Sequence, residues 1–255
     1  MSEFYEDADV LSEYLLFHYG DPETILPWSF GPSQSVDFPR RIAHQFQHLY
    51  PEIPASSSQP TRALDLGCAV GRSTFELTRW FDEVVGIDYS QAFIHAASRL
   101  KQEGSLQYRF RIQGSRFEPA QCTVPEGCDA AKTRFIRGDA MNLATFSLGE
   151  FDLILASNLI CRLPDPSRFL QGLASSLRPG GMLILSTPYT YLESFTPPSL
   201  WLGGREDGPS AEEAVTDVLS LHFTQLEAFD LPMLIREHAR KFQWTVCHAS
   251  AWKKI

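Results

Sequence analysis

The order of residues predicts a doubly wound (Rossmann-like) α/β fold: a mostly parallel sheet with helices on both faces, an antiparallel last strand and an inserted β-hairpin. Three observations lead there. From residue 61 onward, short apolar runs alternate with amphipathic helical stretches, as in sheets whose strands are buried on both faces. Four of those runs end on glycine, aspartate or asparagine, where an open α/β sheet meets its ligand. Of 255 residues, 44% are hydrophobic and 21% charged, which is ordinary globular composition with enough apolar material for a large core.

Taken along the chain, "SEYLLFHYGDP" (12–22) predicts a short helix ending at Gly20, with Asp21-Pro22 as the stop. "FPRRIAHQFQHLY" (38–50) carries Ile42, Phe46 and Leu49 at helical spacing. "PEIPASSSQP" (51–60) is a loop that delivers the chain into the first strand, "RALDLG". The helix "GRSTFELTRWF" follows, then a second strand, "EVVGIDY". The next helix, "SQAFIHAASRLKQEG", is capped by Ser90 and stopped by Gly104. "TRFIRGDA" and "FDLILASN" are the third and fourth strands. "PDPSRFLQGLASSLRPGG" reads as a helix with a Pro-Gly-Gly stop, and "MLILSTPY" as a fifth strand. Two more strand-like runs surround a polar middle in the tail from Leu221 onward, the final one joining antiparallel.

Two segments interrupt this alternation. Residues 106–124, "LQYRFRIQGSRFEPAQCTV", alternate Tyr108, Phe110 and Ile112 with arginines and turn at Gly114-Ser115, which predicts the hairpin. Residues 191–208, rich in aromatics, proline and glycine, follow the fifth strand and read as a substrate loop. The expected organisation is one domain over 1–255: a helical lid (1–60), a cofactor-binding core (61–190), then the substrate loop and closing strands (191–255).

Charge and cysteine usage narrow the partners. A net charge of −9 opposes a broad grip on phosphate backbones, so no nucleic acid is expected. Five cysteines without a CxxC pair suggest reduced thiols rather than disulfides or zinc. The histidines lack metal-ligand spacing, and no metal is expected. The acidic start "MSEFYEDADV" has no signal pattern, and no apolar run reaches membrane-spanning length. The expectation is a soluble, cytoplasmic protein with a small-molecule partner and no membrane.

The strand ends carry the chemistry. After the first strand stands Asp65-x-Gly67-Cys68-Ala69-x-Gly71, where small residues let the backbone approach a ligand and a helix offers free N–H groups. A plain strand-to-helix turn is the alternative. Asp88, followed by Tyr89 and Ser90, can accept both hydroxyls of a ribose, or else serve the next helix as a cap. Asp139, followed by Ala140, can accept from an adenine amino group, or stand as a solvated turn residue. Ser157 and Asn158 end the fourth strand, where they can touch ligand and substrate, or simply make a helix-entry turn.

Taken together, residues 62–189 resemble the class I S-adenosylmethionine-dependent methyltransferases. That resemblance implies S-adenosyl-L-methionine as cofactor, with its methionine part at the Gly67–Gly71 loop, its ribose at Asp88 and its adenine at Asp139. No pyrophosphate then needs a third glycine. A dehydrogenase would share the loop and Asp88, but Asp65, "GDA" and "RPGG" fit it less well, and no hydride-handling residue is found.

A narrower resemblance covers most of the chain. "SEYLLFHYG", "ALDLGCAVGRSTFEL", "FDLILASNLICRL", "STPYTYLESFT", "WLGG" and "IREHARKFQWTV" are similar to the methyltransferase portions of ovothiol-biosynthesis enzymes, the 4-mercaptohistidine N1-methyltransferases. This implies methyl transfer to a ring nitrogen of 5-thiohistidine, or of its selenium analogue. It also implies a separate upstream sulfoxide synthase in the same pathway. Another small imidazole or amino-acid substrate, or a non-catalytic partner subunit, stays open.

Candidate residues come from those stretches. Asn158 and Tyr189 are assigned to the reacting centre. Tyr14 and His18 share a helix face by i,i+4 spacing, with Tyr19 beside them. Arg162 can hold a substrate carboxylate. Arg236, Glu237, Arg240 and Lys241 form the densest charge group, in which Arg236 and Lys241 can take that carboxylate instead. Trp201 and Trp244 can wall an imidazole by stacking. For each the alternative is packing or a solvated face, and Cys68 and Cys161 are expected to pack at the cofactor edge.

Overall fold

A seven-stranded sheet in the order β5-β2-β1-β6-β7-β9-β8 organises the chain in the computed structural model, which describes residues 3–53 and 59–255. Residues 54–58 of the predicted 51–60 loop therefore lie outside the described residues. The strands are β1 (Arg62–Leu66), β2 (Glu83–Asp88), β5 (Thr133–Arg137), β6 (Phe151–Ser157), β7 (Leu177–Thr187), β8 (Phe223–His238) and β9 (Lys241–Lys254). The strands β5, β2, β1, β6 and β7 pair in parallel, and β9 runs antiparallel between β7 and β8. The inserted hairpin forms a separate two-stranded sheet, β3 (Ser105–Gln113) with β4 (Arg116–Thr123). The predicted fold class is what the structure shows.

Local sequence explains most of the elements. All residues of β6 but the last are buried, as are the last four of β1, which a strand covered on both faces requires. Helix α6 (Gln91–Glu103) starts where the Ser90 hydroxyl accepts the Phe93 N–H at 3.1 Å. It stops where Gly104 turns left-handed at φ 74°. Beneath one sheet face pack Phe38, Ile42 and Phe46 from α4 (Phe38–Gln45) and the turn after it. On the other face pack Phe169, Leu170 and Leu173 of α7 (Pro166–Leu173) with Val215 and Leu219 of α8 (Ala211–Leu219).

Three local outcomes differ from the sequence pattern. The "RPGG" run is no helix stop: α7 ends at Leu173, and Arg178 to Gly181 lie inside β7. Pairing there slips from Phe151↔Leu177 to Leu153↔Met182, a bulge that Gly180 permits at φ 74°. Arg178 pins it by an ion pair to Asp152 at 2.8 Å. Helix α8, unassigned on the sequence pattern, is held by a capping box between Ser210 and Glu213. The last two strands also outrun the sheet. Thr187, the end of β7, pairs with His248, while β8 and β9 continue pairing through Met233↔Thr245, Ile235↔Gln243 and Arg236↔Phe242. A ribbon thus overhangs the carboxyl edge.

The N-terminal helices α1 (Glu3–Glu6) and α2 (Ala8–Tyr19) lie over the same edge and are tied down at both ends. The Glu6 carboxylate accepts the N–H groups of Gln91 and Ala92 at 2.7 and 3.0 Å. At the other end the Tyr19 hydroxyl donates to the Val70 carbonyl at 2.8 Å, and Arg72 donates to the His18 carbonyl at 3.2 Å. Among the described residues no helix is long and apolar enough to cross a membrane, and no group of three metal-ligating side chains is found.

Helix α5 (Arg72–Leu77) is fastened through Glu76, a fully buried carboxylate that pairs with Arg72, Arg79 and His44 at 2.8 Å each. Burial pushes this carboxyl up, but hydrogen bonds from His44 and Arg79 and the charge of Arg72 outweigh it and hold the group below its ordinary value. Its stabilising contribution is therefore complete above the unfolded value of about 4.5 and is lost as pH falls through the lower folded value. Glu76→Ala leaves Arg72, Arg79 and His44 without this acceptor, and urea unfolding at neutral pH should show a loss of about 3–5 kcal/mol. The difference from the unsubstituted chain should shrink in acid.

Candidate active site

A crevice of ≈ 560 Å³ opens at the carboxyl edge of β1, β2, β5 and β6, between the tethered N-terminal helices and the overhanging ribbon. That volume is within the range of small-ligand sites, about 300–1,000 Å³. Its floor is the turn after β1. The N–H groups of Gly67 and Cys68 donate to the Ile87 carbonyl at 2.8 and 3.1 Å, which bends the chain away from the sheet. Gly67, Ala69 and Gly71 all take positive φ, at 73°, 46° and 87°. A side chain at Gly71 would meet the Phe135 ring at 2.7 Å, so glycine is required there on two counts.

Asp88 fixes this turn from the neighbouring strand. One carboxylate oxygen accepts the Ala69 N–H and the other the Ser90 N–H, each at 2.9 Å. Each oxygen keeps a lone pair, and Asp88 lines the crevice. Burial pushes its carboxyl up to about 6, against the pull of the backbone donors. Beneath it, Asp65 is fully buried and accepts the Thr74 hydroxyl at 2.7 Å, with its carboxyl raised by burial to about 7.

At the end of β5, Asp139 accepts the Met141 N–H at 2.9 Å and the Asn142 amide at 2.8 Å, and it lines the crevice with Ala140. At the end of β6, Asn158 is left-handed at φ 53°. Its backbone N–H donates to the Ser186 carbonyl at 2.8 Å, its side-chain oxygen accepts the Ser186 hydroxyl at 3.1 Å, and its amide nitrogen is 3.1 Å from the Met233 sulfur. Bonds to β7 and β8 thus hold a strained residue in the crevice wall.

The roof is aromatic. Tyr14 and Phe93 rings lie 4.7 Å apart, and Tyr5 meets both edge-on. Burial pushes the Tyr5 hydroxyl up while the Arg162 guanidinium pulls it down; burial alone leads at Tyr14, which titrates far above its ordinary range. Arg162 donates through one nitrogen to the carbonyls of Cys161 and Thr190, at 3.0 and 2.8 Å, with its head over the Phe195 ring at 5.3 Å. Among the described residues no carboxylate pairs with it. His18 is buried, and burial together with the Arg72 charge lowers its imidazole to about 3, so the ring is neutral.

The crevice brings together most of the predicted residues: Gly67, Ala69, Asp88, Tyr89 and Ser90; Asp139, Ala140, Ser157 and Asn158; Tyr14, His18 and Arg162. Others stand apart from it. Asp65, Cys68 and Gly71 shape the turn from below. Tyr19 spends its hydroxyl on Val70. Tyr189 does not line the crevice: it stands at φ 55°, its ring packs against the core cluster of α7 and α8 and its hydroxyl bonds His248 Nδ1 at 2.7 Å, while its neighbours Pro188 and Thr190 line the wall. Trp201 stacks on Tyr191 at 6.0 Å and donates to the Thr196 carbonyl, and Trp244 is an exposed residue bonded to Ser35.

The charge group of the tail is likewise displaced. Arg236 is buried on β8, donating to the Thr24 carbonyl and lying over the Phe110 ring, and Lys241 pairs with Glu237 at the ribbon's tip. Neither lines the crevice, because the charges mark a hairpin turn that points beyond it. The ribbon faces the crevice with Met233, Ile235, Gln243 and Thr245 instead, two directly paired couples. The period-two alternation of "MLI" and "QWT" is the signal for them. Tyr5, Phe93 and Ser73 are further wall residues that no motif marked.

Known proteins decide the family. A methyltransferase domain family matches residues 38–243. The chain belongs to that family. It is a class I S-adenosylmethionine-dependent methyltransferase by family, and its cofactor is S-adenosyl-L-methionine. The ubiquinone biosynthesis O-methyltransferase of Xanthomonas axonopodis pv. citri (strain 306) is 25% identical over 154 residues, 60% of this chain and 54% of that protein. The chain thus spans about half the length of the curated relatives it matches. In solved structures, a methyltransferase of Methanosarcina mazei shares the fold at TM-score 0.53 and 16% identity, covering 82% of this chain and 97% of that one. The N-methyltransferase NodS of Bradyrhizobium japonicum WM9 does so at 0.50 and 18%, covering 85% and 96%.

The residues present fit this cofactor. Asp88 has free lone pairs that could take two hydroxyls, Gly67 and Ala69 bring backbone to the crevice wall, and Asp139 and Ala140 line it at the end of β5, where they could meet a base. Asp88→Ala should weaken S-adenosylhomocysteine binding about 10- to 100-fold in calorimetry, because charged acceptors to hydroxyls contribute about 1.5–3 kcal/mol. In the intact chain, affinity should fall as pH drops through about 6, where the carboxylate gains its proton.

Proposed function

We propose that the chain methylates a ring nitrogen of a small imidazole amino acid, 5-thiohistidine or its selenium analogue, with S-adenosylmethionine as donor. The observation that carries this reading is Arg162. A guanidinium with no carboxylate partner among the described residues lines the crevice beside the aromatic groups of its roof, fixed by two carbonyls and a Phe195 face. Such a group calls for an anion, and an amino-acid substrate carries one. It stands after β6, on a different loop from the glycine turn.

The donor supplies an already activated methyl group, so the chain's work is alignment and exclusion of water. Asn158, held by Ser186 and Met233, fixes the wall nearest the strand ends. Tyr14, Phe17 and Phe93 close the crevice from above and leave room for a flat ring. Holding that ring is what separates nitrogen from the more nucleophilic chalcogen. The similarity of the matching stretches to thiohistidine methyltransferases supports the substrate class, and the N-methyltransferase among the fold neighbours is consistent with it. O-methylation of a hydroxylated ring is the second reading, favoured by the O-methyltransferases among the relatives.

Incubation with S-adenosylmethionine and 5-thiohistidine should give a product heavier by one methyl on nitrogen. Turnover restricted to phenolic acceptors would replace the first reading by the second. Arg162→Ala should raise KM for thiohistidine by about 10- to 100-fold, the loss expected for one charge-assisted contact. Its affinity for S-adenosylhomocysteine should be unchanged in calorimetry; a parallel loss there would move Arg162 to the cofactor.

A further inference from the structure

Three buried side-chain polar atoms lack a hydrogen-bond partner among the described residues, and one of them, Nδ1 of His18, belongs to a residue lining the crevice. The residue is 5% exposed, and its ring is held on several sides. Tyr14 stacks on it at 6.0 Å, and Phe17 meets it edge-on at 5.3 Å. Its backbone carbonyl is clamped by Arg72, and the next residue, Tyr19, is bonded to Val70. A buried nitrogen without a partner is destabilising, yet this one sits where the helix end cannot turn away. Because the imidazole is neutral, one of its nitrogens must be an acceptor.

We infer that Nδ1 of His18 accepts the hydrogen bond of the substrate ring's N–H and so selects the tautomer whose other nitrogen presents its lone pair to the methyl donor. This rests on the imidazole reading given above. A neutral imidazole has one N–H and one bare nitrogen, and the bond made by the N–H decides which is which. An acceptor fixed in the wall therefore orients the ring and chooses the nitrogen together, and turns the chalcogen away. The contact orients the substrate; it forms and breaks no covalent bond. Gln243 and Thr245 add polar groups on the ribbon, but Gln243 already donates to Glu237 at 3.1 Å. Among the described residues, Nδ1 of His18 is the one fully enclosed side-chain polar atom of the crevice lining that has no partner.

Two substitutions separate acceptor from packing. His18→Asn puts an amide oxygen near the place of Nδ1, and His18→Leu removes the acceptor. S-adenosylhomocysteine binding checks that each variant is folded. With thiohistidine, His18→Asn should keep a single N-methyl isomer by NMR, with kcat/KM within about 5-fold of the original. His18→Leu should lose about 10- to 100-fold and give a second N-methyl isomer or a chalcogen-methylated product. The same single isomer at full efficiency from His18→Leu overturns the assignment, and so does a His18→Asn variant as impaired as His18→Leu. Should His18→Leu fail to fold, the 15N signal of His18 in the unsubstituted chain loaded with S-adenosylhomocysteine decides. A shift on adding thiohistidine supports the bond, and no shift overturns it. An unsubstituted chain that turns over only non-imidazole acceptors removes the substrate reading and the tautomer role with it. Turnover of thiohistidine with an unaffected His18→Leu removes only the latter.

Discussion

The crevice depends on one carboxylate bonded to two turns. Asp88 receives the Ala69 N–H with one oxygen and the Ser90 N–H with the other. These bonds join the loop after β1 to the start of α6, which parallel pairing alone leaves independent. Glycine takes the positive φ of this turn freely at positions 67 and 71, but Ala69 at φ 46° is in a sparsely populated region, which persists where neighbours over-determine it. Removing the carboxylate would release the floor and the entrance of the helix beside it. The raised carboxyl of Asp88 follows from the same placement. It is buried to reach the turn, and the backbone donors only partly offset that burial.

A floor of this kind serves many reactions, and chemistry has to come from what closes over it. Two segments do so here by different means. The N-terminal helices are tied by Glu6 to α6 and by Tyr19 and Arg72 to the turn and helix after β1. The ribbon is an extension of the sheet itself, stiffened by unbroken pairing of β8 with β9 from Glu227 to Arg236. Aromatic side chains come from the helices, and the apolar Met233 and Ile235 with the polar Gln243 and Thr245 from the ribbon. The resulting site is apolar with a few fixed polar groups, which is the make-up of a site for a small, oriented ligand.

Much of this was legible in the residues, for reasons that also explain the failures. Strands β1, β2 and β6 are continuous apolar runs because both faces are buried, and Ser90 and Gly104 bound α6 by local hydrogen bonds alone. Asp88 and Asp139 could be placed because a strand end fixes position without tertiary knowledge. "RPGG" misled because proline and glycine mark a bulge as readily as a helix end, and only the slip against Phe151 separates the two. Arg236 and Lys241 misled for a related reason. Charge density signals solvent or ligand but not direction, and the register of β8 against β9 turned the tip outward. Tyr189 sits where predicted along the chain, yet one left-handed residue rotates its ring to His248. Alternation along the ribbon was readable; how far it outruns β7 was not, since Thr187↔His248 is a tertiary fact.

The family match covers residues 38–243, and the division it draws runs through the crevice. Within it lie the turn of Gly67 to Gly71, Asp88, Asp139 and Asn158. Outside it lie Tyr5, Tyr14, Phe17 and His18 from the helices, and Thr245 from the ribbon. The strand-end turns thus lie inside the shared part, while the N-terminal part of the roof comes from beyond it. Arg162 lies within the matched range, as do Phe93, Met233, Ile235 and Gln243; it stands on the loop after β6, where backbone carbonyls fix its head and no carboxylate among the described residues pairs with it. A crevice so divided can keep its donor chemistry constant while the acceptor changes with the flanks. His18, a neutral buried imidazole outside the matched range, and Arg162, a guanidinium with no carboxylate partner among the described residues, line the same crevice as the glycine turn but come from other segments, so they can vary without disturbing it.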